Sequence, residues 1–264
     1  MLPAGRRLDA QQVALAAAVG LTELPVRRRL RVALFSTGDE IVEPGTPRPL
    51  AAVFDANRFL LAALIERFGA VATDLGILPD QREGLAAAIR AAGDGHDVVL
   101  TSGGVSTGEA DHVRAAVEQI GRLVFWRVGI KPGRPVAMGI IPARDGSAAF
   151  VGVPGNPVAA FVTFSRIVRP LLLQLSGAEI PPLLPLAVRA AFAYRKRKGR
   201  REYVRVKLVR AADGAIDAVK HPQEGAGVLS SLTETDGLVE LPEETTKVER
   251  GSAVGFLSYA TLAG

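Results

Sequence analysis

The residues most able to do chemistry fall in a few short, glycine-rich segments. Ser36-Thr37-Gly38-Asp39-Glu40 sets two carboxylates beside a glycine. Such a pair can hold a hydrated Mg2+ or hydrogen-bond a polar ligand. It can equally cap a turn of helix. A second segment, Thr101-Ser102-Gly103-Gly104-Val105-Ser106-Thr107-Gly108-Glu109-Ala110-Asp111, combines two adjacent glycines, several hydroxyls and two acids ahead of a helical pattern. Exposed backbone N–H groups at a helix start favour an anion such as phosphate, and Glu109 and Asp111 add metal-binding or base capacity. No Gly-Lys-Ser/Thr follows, so this is not a Walker-type loop. The bland alternative is a glycine turn with Asp111 as helix cap.

Three further features belong with these. Lys131-Pro132-Gly133-Arg134-Pro135 holds two cations on a stiff turn, which suits phosphate recognition or, more plainly, a solvated hairpin tip. In Pro154-Gly155-Asn156-Pro157, Asn156 suits a helix cap and Pro157 the first helical position, reason enough for the pair; the functional reading adds N–H donors facing the same cleft. Asp80 follows Pro79 at a strand end, where it could serve a site or cap the next helix. Arg195-Lys196-Arg197-Lys198-Gly199-Arg200-Arg201 is strongly basic, and reads more readily as a solvated hairpin than as a nucleic-acid contact. His96, His112 and His221 read as structural.

The elements that must carry these loops are legible in the hydrophobic pattern. Asp9 can cap an Ala-rich helix, Ala10–Val19, and a basic run, Arg27–Arg31, follows. Strand-like runs at Val32–Phe35, Val71–Leu78 and Val98–Leu100 alternate with helical spacing at Phe54–Phe68, Arg82–Ala92 and Val113–Ile120. A β-α-β-α-β-α order predicts a parallel sheet with right-handed crossovers, and ligands of such sheets bind at the carboxyl ends of the strands. Leu123–Ile130, Val136–Ile141 and Ala148–Val153 then read as strands without helices between them, before a long apolar helix, Val158–Leu175. Beyond the proline-containing stretch from Gly177 to Pro185 no helical pattern is seen. Leu184–Ala193, Glu202–Val209, Ala215–Lys220, Leu238–Leu241 and Ala253–Ser258 read as strands of a small all-β unit, with Asp213-Gly214 as a hairpin turn.

Composition narrows the function classes. The chain has 264 residues, 48% hydrophobic and 22% charged, without cysteine, and a net charge of +5. This length corresponds to about one or two domains. The absence of cysteine excludes disulfides, thiolate metal sites and thiol catalysis, and fits a reducing compartment. Neither half carries enough net positive charge to argue for nucleic acid. Apolar stretches such as Val13–Leu21 fall short of a bilayer span and no signal peptide is evident, so the expected location is cytoplasmic.

Taken in order and spacing, six motifs resemble those of the MoeA-type molybdopterin molybdenumtransferases and the similar gephyrin E-domain. They are Ser36–Glu40, Asp55-Ala56-Asn57-Arg58, Leu75-Gly76-Ile77-Leu78-Pro79-Asp80, Ser102–Asp111, Lys131–Pro135 and Pro154–Pro157. The resemblance covers residues 26–178 most strongly. It implies a three-layer MogA-like α/β domain with a mostly parallel sheet over 26–178 and a C-terminal β-barrel domain over 183–264. It further implies that 1–25 is the remnant of an N-terminal domain or linker helix, most of the family's N-terminal domains being absent.

The implied activity is insertion of molybdate into adenylylated molybdopterin with release of AMP, in molybdenum cofactor biosynthesis. Glu40, Asp80 and Asp111 would be the catalytic acids and the holders of Mg2+ or another divalent cation. Thr37, Gly38, Asp39, Ser102, Gly103, Gly104, Ser106, Glu109, Arg127, Lys131, Arg134, Pro154, Gly155, Asn156 and Arg200 would bind substrate. Arg127 stands where the family often has lysine. A homodimer is implied, with no membrane or nucleic-acid partner. Two other readings compete: a MogA-like molybdopterin adenylyltransferase, and a non-catalytic molybdopterin-binding or scaffold protein.

Overall fold

A computed structural model of the chain describes residues 2–105 and 112–263. In order, the elements are α1 (Ala10–Ala18), β1 (Arg31–Thr37), β2 (Ile41–Val42), β3 (Val53–Phe54), α2 (Asn57–Arg67), β4 (Val71–Leu78), α3 (Arg82–Gly93), β5 (Val98–Ser102), α4 (His112–Ile120), β6 (Arg122–Arg127), β7 (Ile130–Lys131), β8 (Pro135–Ala143) and β9 (Gly146–Val153). A long helix, α5 (Pro157–Leu175), leads to β10 (Leu186–Ala190), β11 (Tyr194–Arg195), β12 (Arg201–Arg210) and β13 (Ile216–Lys220). The chain closes with α6 (Ser230–Thr233), β14 (Gly237–Leu241), β15 (Lys247–Val248), β16 (Ala253–Ser258) and α7 (Tyr259–Ala263).

The first sheet has the order β4-β1-β5-β9-β8-β6. The β1–β4, β1–β5 and β5–β9 pairings are parallel, whereas β8 runs antiparallel to both β9 and β6. Burial explains why β1 reads as an unbroken apolar run. Val32 and Leu34 face one core with Leu61, Ile65 and Phe164, while Ala33 and Phe35 face another with Leu85, Ile89, Val113 and Val117. A strand covered on both faces needs apolar side chains at every position. The result is three layers, with α2 and α5 on one face and α3 and α4 on the other. Each fully buried Leu or Phe in these cores contributes about 1.5–3 kcal/mol.

The second sheet closes on itself. Its order is β13-β10-β16-β14-β12-β7, and β13 also pairs with β12, so five strands form a barrel to which β7 is added. The fold class read from the sequence is therefore the one found. Three local expectations need correction. The single run Leu123–Ile130 is split: β6 stays in the first sheet, while β7 leaves it and pairs with β12, Lys131 opposite Glu202. The β region is not free of helix, since α6 and α7 lie within it.

Third, α5 is, by length and composition, apolar enough to cross a membrane, with a mean hydropathy of 1.4 over the window tested; two thirds of that window is buried inside the fold. It packs as a core helix, its Phe161 ring meeting Tyr259 edge-on at 5.3 Å, and one apolar cluster runs from β1 across α5 to Tyr203, Leu238 and Leu257 of the barrel. A π-helical turn, Phe164–Val168, precedes Pro170 in this helix. Proline lacks the N–H for the i−4 bond and its ring crowds that carbonyl, so a widened turn accommodates it.

Candidate active site

Strands β1, β4 and β5 deliver their loops to one edge of the sheet, and β9, parallel to β5, ends there too. Chain order reverses between β1 and β5, the point at which the loops of an open sheet part to leave a crevice. The loops do not merely approach; they interlock. Gly103 has φ +88°, and a Cβ there would stand 2.3 Å from the Thr37 carbonyl oxygen. Only glycine permits both that backbone conformation and that approach. The Gly103 N–H donates to the Val153 carbonyl at 3.1 Å, tying the third loop to the second.

Asn57 completes the joint. Its buried side-chain amide donates to Ser102 Oγ at 2.8 Å and to the Gly155 carbonyl at 2.7 Å. Next to it, buried Arg58 binds Asp55 at 3.0 Å and also pairs with Glu43 and Asp74. That network anchors the strap between β1 and α2. Asp74 is turned toward it by an irregularity in the β1–β4 register, where the Gly76 N–H donates to Asp74 Oδ1 at 2.8 Å. The motif Asp55-Ala56-Asn57-Arg58 was legible in the sequence, but neither Asn57 nor Arg58 stood among the expected site residues. Their polar side chains at the start of a helix that otherwise buries Leu61, Leu64 and Ile65 were the available signal.

The edge collects acid and leaves polar atoms open. Asp80 does not cap α3: the cap position is Gln81, which makes no side-chain cap bond. Asp80 Oδ1 is instead buried with no hydrogen-bond partner among the described residues, and the hydroxyls of Ser36 and Thr101 are equally without partners among them. Burial raises the Asp80 pKa; His112 and Thr37 pull it down, while Asp39 and Glu40 push it up. Those opposing influences put Asp39, Glu40 and His112 within electrostatic reach of Asp80. His112, read from the sequence as structural, acts on Asp80 through its charge; its place beside Asp111 was the only hint. His96 is held by Ala92 and Thr73 and takes no part.

Of the remaining expected residues, Gly38, Gly104 and Pro154 sit in these same loops. Asn156 occupies the cap position of α5 with Pro157 at the first helical position, but the Asn156 side chain makes no cap bond. Ser106, Glu109 and Asp111 lie outside the described residues. Among the described residues, no group of three or more His, Asp or Glu side chains could hold a metal ion.

Lys131 and Arg200 come together elsewhere, at the barrel. The β7–β12 pairing sets Lys131 beside Glu202, a carboxylate only 1% exposed. Glu202 accepts from Lys131 Nζ at 3.1 Å, Tyr194 Oη at 2.9 Å and Arg200 Nη2 at 3.0 Å. Burial opposes the Lys131 charge, but Glu202 and Tyr194 together outweigh it and leave the pKa raised. Lys131, Tyr194 and Glu202 line a cavity of about 400 Å3 together with Arg205, Lys220 and His221. Arg205 is spent on the loop below it, donating to Gly225 O, Gln223 O and Ser231 Oγ. The cavity and the sheet edge meet at the start of α5, where the Val158 N–H donates to the Ala226 carbonyl at 3.0 Å. Arg127 and Arg134 are exposed.

Residues 33–174 match the family described as "Probable molybdopterin binding domain", and residues 187–259 match the "MoeA C-terminal region (domain IV)". A molybdopterin molybdenumtransferase of Haemophilus influenzae is 35% identical over all of this chain, which covers 65% of that protein. One from Nostoc sp. is 34% identical over 96% of this chain and 58% of its own length. The chain thus spans about three fifths of these relatives. Among solved structures, a molybdopterin biosynthesis MoeA protein of Pyrococcus horikoshii superposes with a TM-score of 0.79 at 31% identity, covering 96% of this chain and 60% of that one.

Proposed function

Because the chain belongs to the MoeA-type molybdopterin molybdenumtransferase family, we propose that it inserts molybdate into adenylylated molybdopterin and releases AMP. The observation that carries this reading is the interlocked sheet edge, where loops meet around a buried Asp80 oxygen that has no partner. A polar atom left open inside a fold costs stability unless a ligand satisfies it.

In this reading the strand-end loops bind the pterin and its phosphates. The unpartnered Thr101 hydroxyl and the Gly104 amide supply hydrogen bonds to oxyanions, and Asn57 holds the loops at their separation. We assign Mg2+ or another divalent cation to Glu40 and Asp80, with Asp111, because Asp80 keeps an open oxygen and is crowded by like charge; the described residues by themselves do not make up a three-carboxylate set. A cation bound there would neutralise phosphate charge as the AMP group departs. Lys131 and Arg200, held in place by Glu202 before any ligand arrives, offer positive charge to an incoming molybdate. Arg127, Arg134 and Asn156 complete the substrate contacts.

The same reading assigns 26–178 to pterin binding, 183–264 to the barrel that supplies the cationic wall, and 1–25 to a linker. It has the protein act in the cytoplasm as a homodimer; a chain without cysteine is in keeping with that compartment. An adenylyltransferase reading is disfavoured by the barrel, which matches the MoeA C-terminal region. The test is a steady-state assay of AMP release from adenylylated molybdopterin with and without molybdate. Molybdate-dependent AMP release is expected. ATP-dependent adenylylation of molybdopterin, or tight pterin binding with no turnover and no rescue of molybdoenzyme activity in an insertase-deficient strain, would overturn it.

A further inference from the structure

The opposite edge of the first sheet, where β1 begins, gathers arginines that none of the preceding chemistry uses. A cavity of about 800 Å3 is lined by Arg6, Arg7, Arg27 and Arg29, and no acidic residue is among its described lining residues. A smaller neighbouring cavity of about 150 Å3 shares Arg27, Arg29 and Phe68 with it. Arg28, in the same basic run, differs: it is paired with Asp97 at 2.6 Å.

Behind Phe68 stands Arg169, only 7% exposed, with its Nε buried and unpartnered. Burial lowers its pKa, and the like charges of Arg166 and Arg7 lower it further. The guanidinium carbons of Arg169 and Arg7 approach the Phe68 ring centre to 5.8 and 6.0 Å. A buried cation is normally matched by a carboxylate. Here the Arg169 neighbours are an aromatic face and more cations; Arg166 is paired with Glu240 and Glu179 lies at the rim beside Gly5, but arginine predominates in the cavity wall.

We propose that this groove binds a small organic phosphate. Guanidinium groups present planar forks that match phosphate oxygens, and several converging on one cavity suit a di- or polyphosphate. The other wall is apolar, with Leu24, Pro25, Val26 and Leu173, which suits an uncharged organic moiety. The volume lies in the range of small-molecule sites, roughly 300–1,000 Å3. The cavity is concave and walled by the N-terminal segment, a poor match to the broad phosphate backbone of a duplex.

The experiment is isothermal titration of the full chain with ADP and, separately, inorganic pyrophosphate at low salt. One saturable event is expected to weaken about tenfold or more in an Arg27→Ala/Arg29→Ala double variant and to fade as salt rises. It should survive both Lys131→Ala and Thr101→Val, which distinguishes it from phosphate binding at the barrel cavity or at the strand-end loops and so from any failure of the proposed transferase reaction. Arg27 and Arg29 are exposed, so thermal unfolding should be unchanged in the double variant; Arg29→Lys, which keeps the charge and loses the fork, should also bind more weakly. Three results would overturn the proposal: no arginine-dependent event, an event lost equally in Lys131→Ala or Thr101→Val, or displacement of ADP by a short DNA duplex at lower concentration than by pyrophosphate.

Discussion

At the barrel, Glu202 is almost wholly buried, yet each of its oxygens is met: Lys131 and Tyr194 share one and Arg200 takes the other. At the sheet edge, Asp80 is less buried, yet among the described residues one of its oxygens has no partner, and the buried hydroxyls of Ser36 and Thr101 are also open. The two regions lie on either side of the start of α5 and handle their carboxylates in opposite ways. The barrel satisfies both oxygens of Glu202 within the protein, so Lys131 and Arg200 are positioned in advance, even though Arg200 Nε is itself buried without a partner among the described residues. The edge leaves its network unfinished and carries the resulting instability, as sites that must accept a ligand commonly do. Substitutions of the edge's acidic side chains should therefore affect activity out of proportion to stability, whereas substitutions in its interlocked backbone, or of Glu202 at the barrel, should affect both together.

The largest effect is expected from Asp80→Asn. The amide keeps the shape and removes the charge, so AMP release should fall by roughly 10²- to 10⁴-fold, while urea unfolding shows no loss of stability. A protein equally destabilised and inactivated would break the contrast, because Asp80 would then be a structural acid like Glu202. Next comes Gly103→Ala. The alanine must adopt a left-handed conformation and meet the Thr37 carbonyl, at a cost of about 2–5 kcal/mol in urea unfolding. Gly199→Ala, at the basic hairpin of the barrel region, is the matched control: its φ is +85°, but nothing lies within 4 Å of an added Cβ. It should cost only about 1 kcal/mol.

A smaller effect separates the two glutamate variants at the barrel. Glu202→Ala leaves Lys131, Arg200 and Tyr194 without their acceptor. Both cations are partly exposed and can rehydrate, so the loss should be about 1–3 kcal/mol rather than that of a fully buried pair. Glu202→Gln retains one acceptor and should recover about half of it in the same chemical unfolding measurement. Molybdate-dependent turnover should track the stability of this pair of variants, unlike at Asp80.

Much of this arrangement was legible in the residues, and the illegible parts share a cause. The α/β order, the barrel strands and the loop acids follow from local periodicity and from glycine and proline placement. What local pattern could not show was pairing between distant segments. The apolar run from Leu123 to Ile130 gives no sign that its end changes sheets, because β7 is specified by its partner β12. Asn57 looks like an ordinary helix-start residue until its amide is seen reaching 45 and 98 residues along the chain. Arg200 was expected at the site, but Glu202, the group that fixes its position beside Lys131, reads in sequence as one more strand residue. The length of α5 was visible; that two thirds of its most apolar stretch is buried required the barrel to be in place.

The smallest expected effect tests the sign of the contrast through pH. The folded-state pKa of Asp80 is raised, chiefly by burial and then further by Asp39 and Glu40, above the ordinary value of 3.8. The native state therefore holds a proton on Asp80 over a range in which the unfolded chain has lost it. Stability must fall as pH rises from that ordinary value through the folded pKa, and it stays lower above it. Asp80→Asn removes the loss, so its stability relative to the parent should be flat near pH 3 and increasingly favourable as pH rises. Glu224 in the barrel cavity lining has the opposite sign: the Lys220 hydrogen bond lowers its pKa from 4.5, against the pull of burial. Its contribution is present above that value and disappears as pH falls through the lowered pKa. Glu224→Gln should therefore be less stable than the parent at neutral pH and indistinguishable from it in acid, by only about 0.5 kcal/mol because the carboxylate is solvent-screened. Unfolding free energies of the parent and both variants between about pH 3 and pH 7 would give difference curves that diverge in opposite directions. Parallel curves would mean that Asp80, like Glu224, is already satisfied within the protein, and that the sheet edge is not waiting for a ligand.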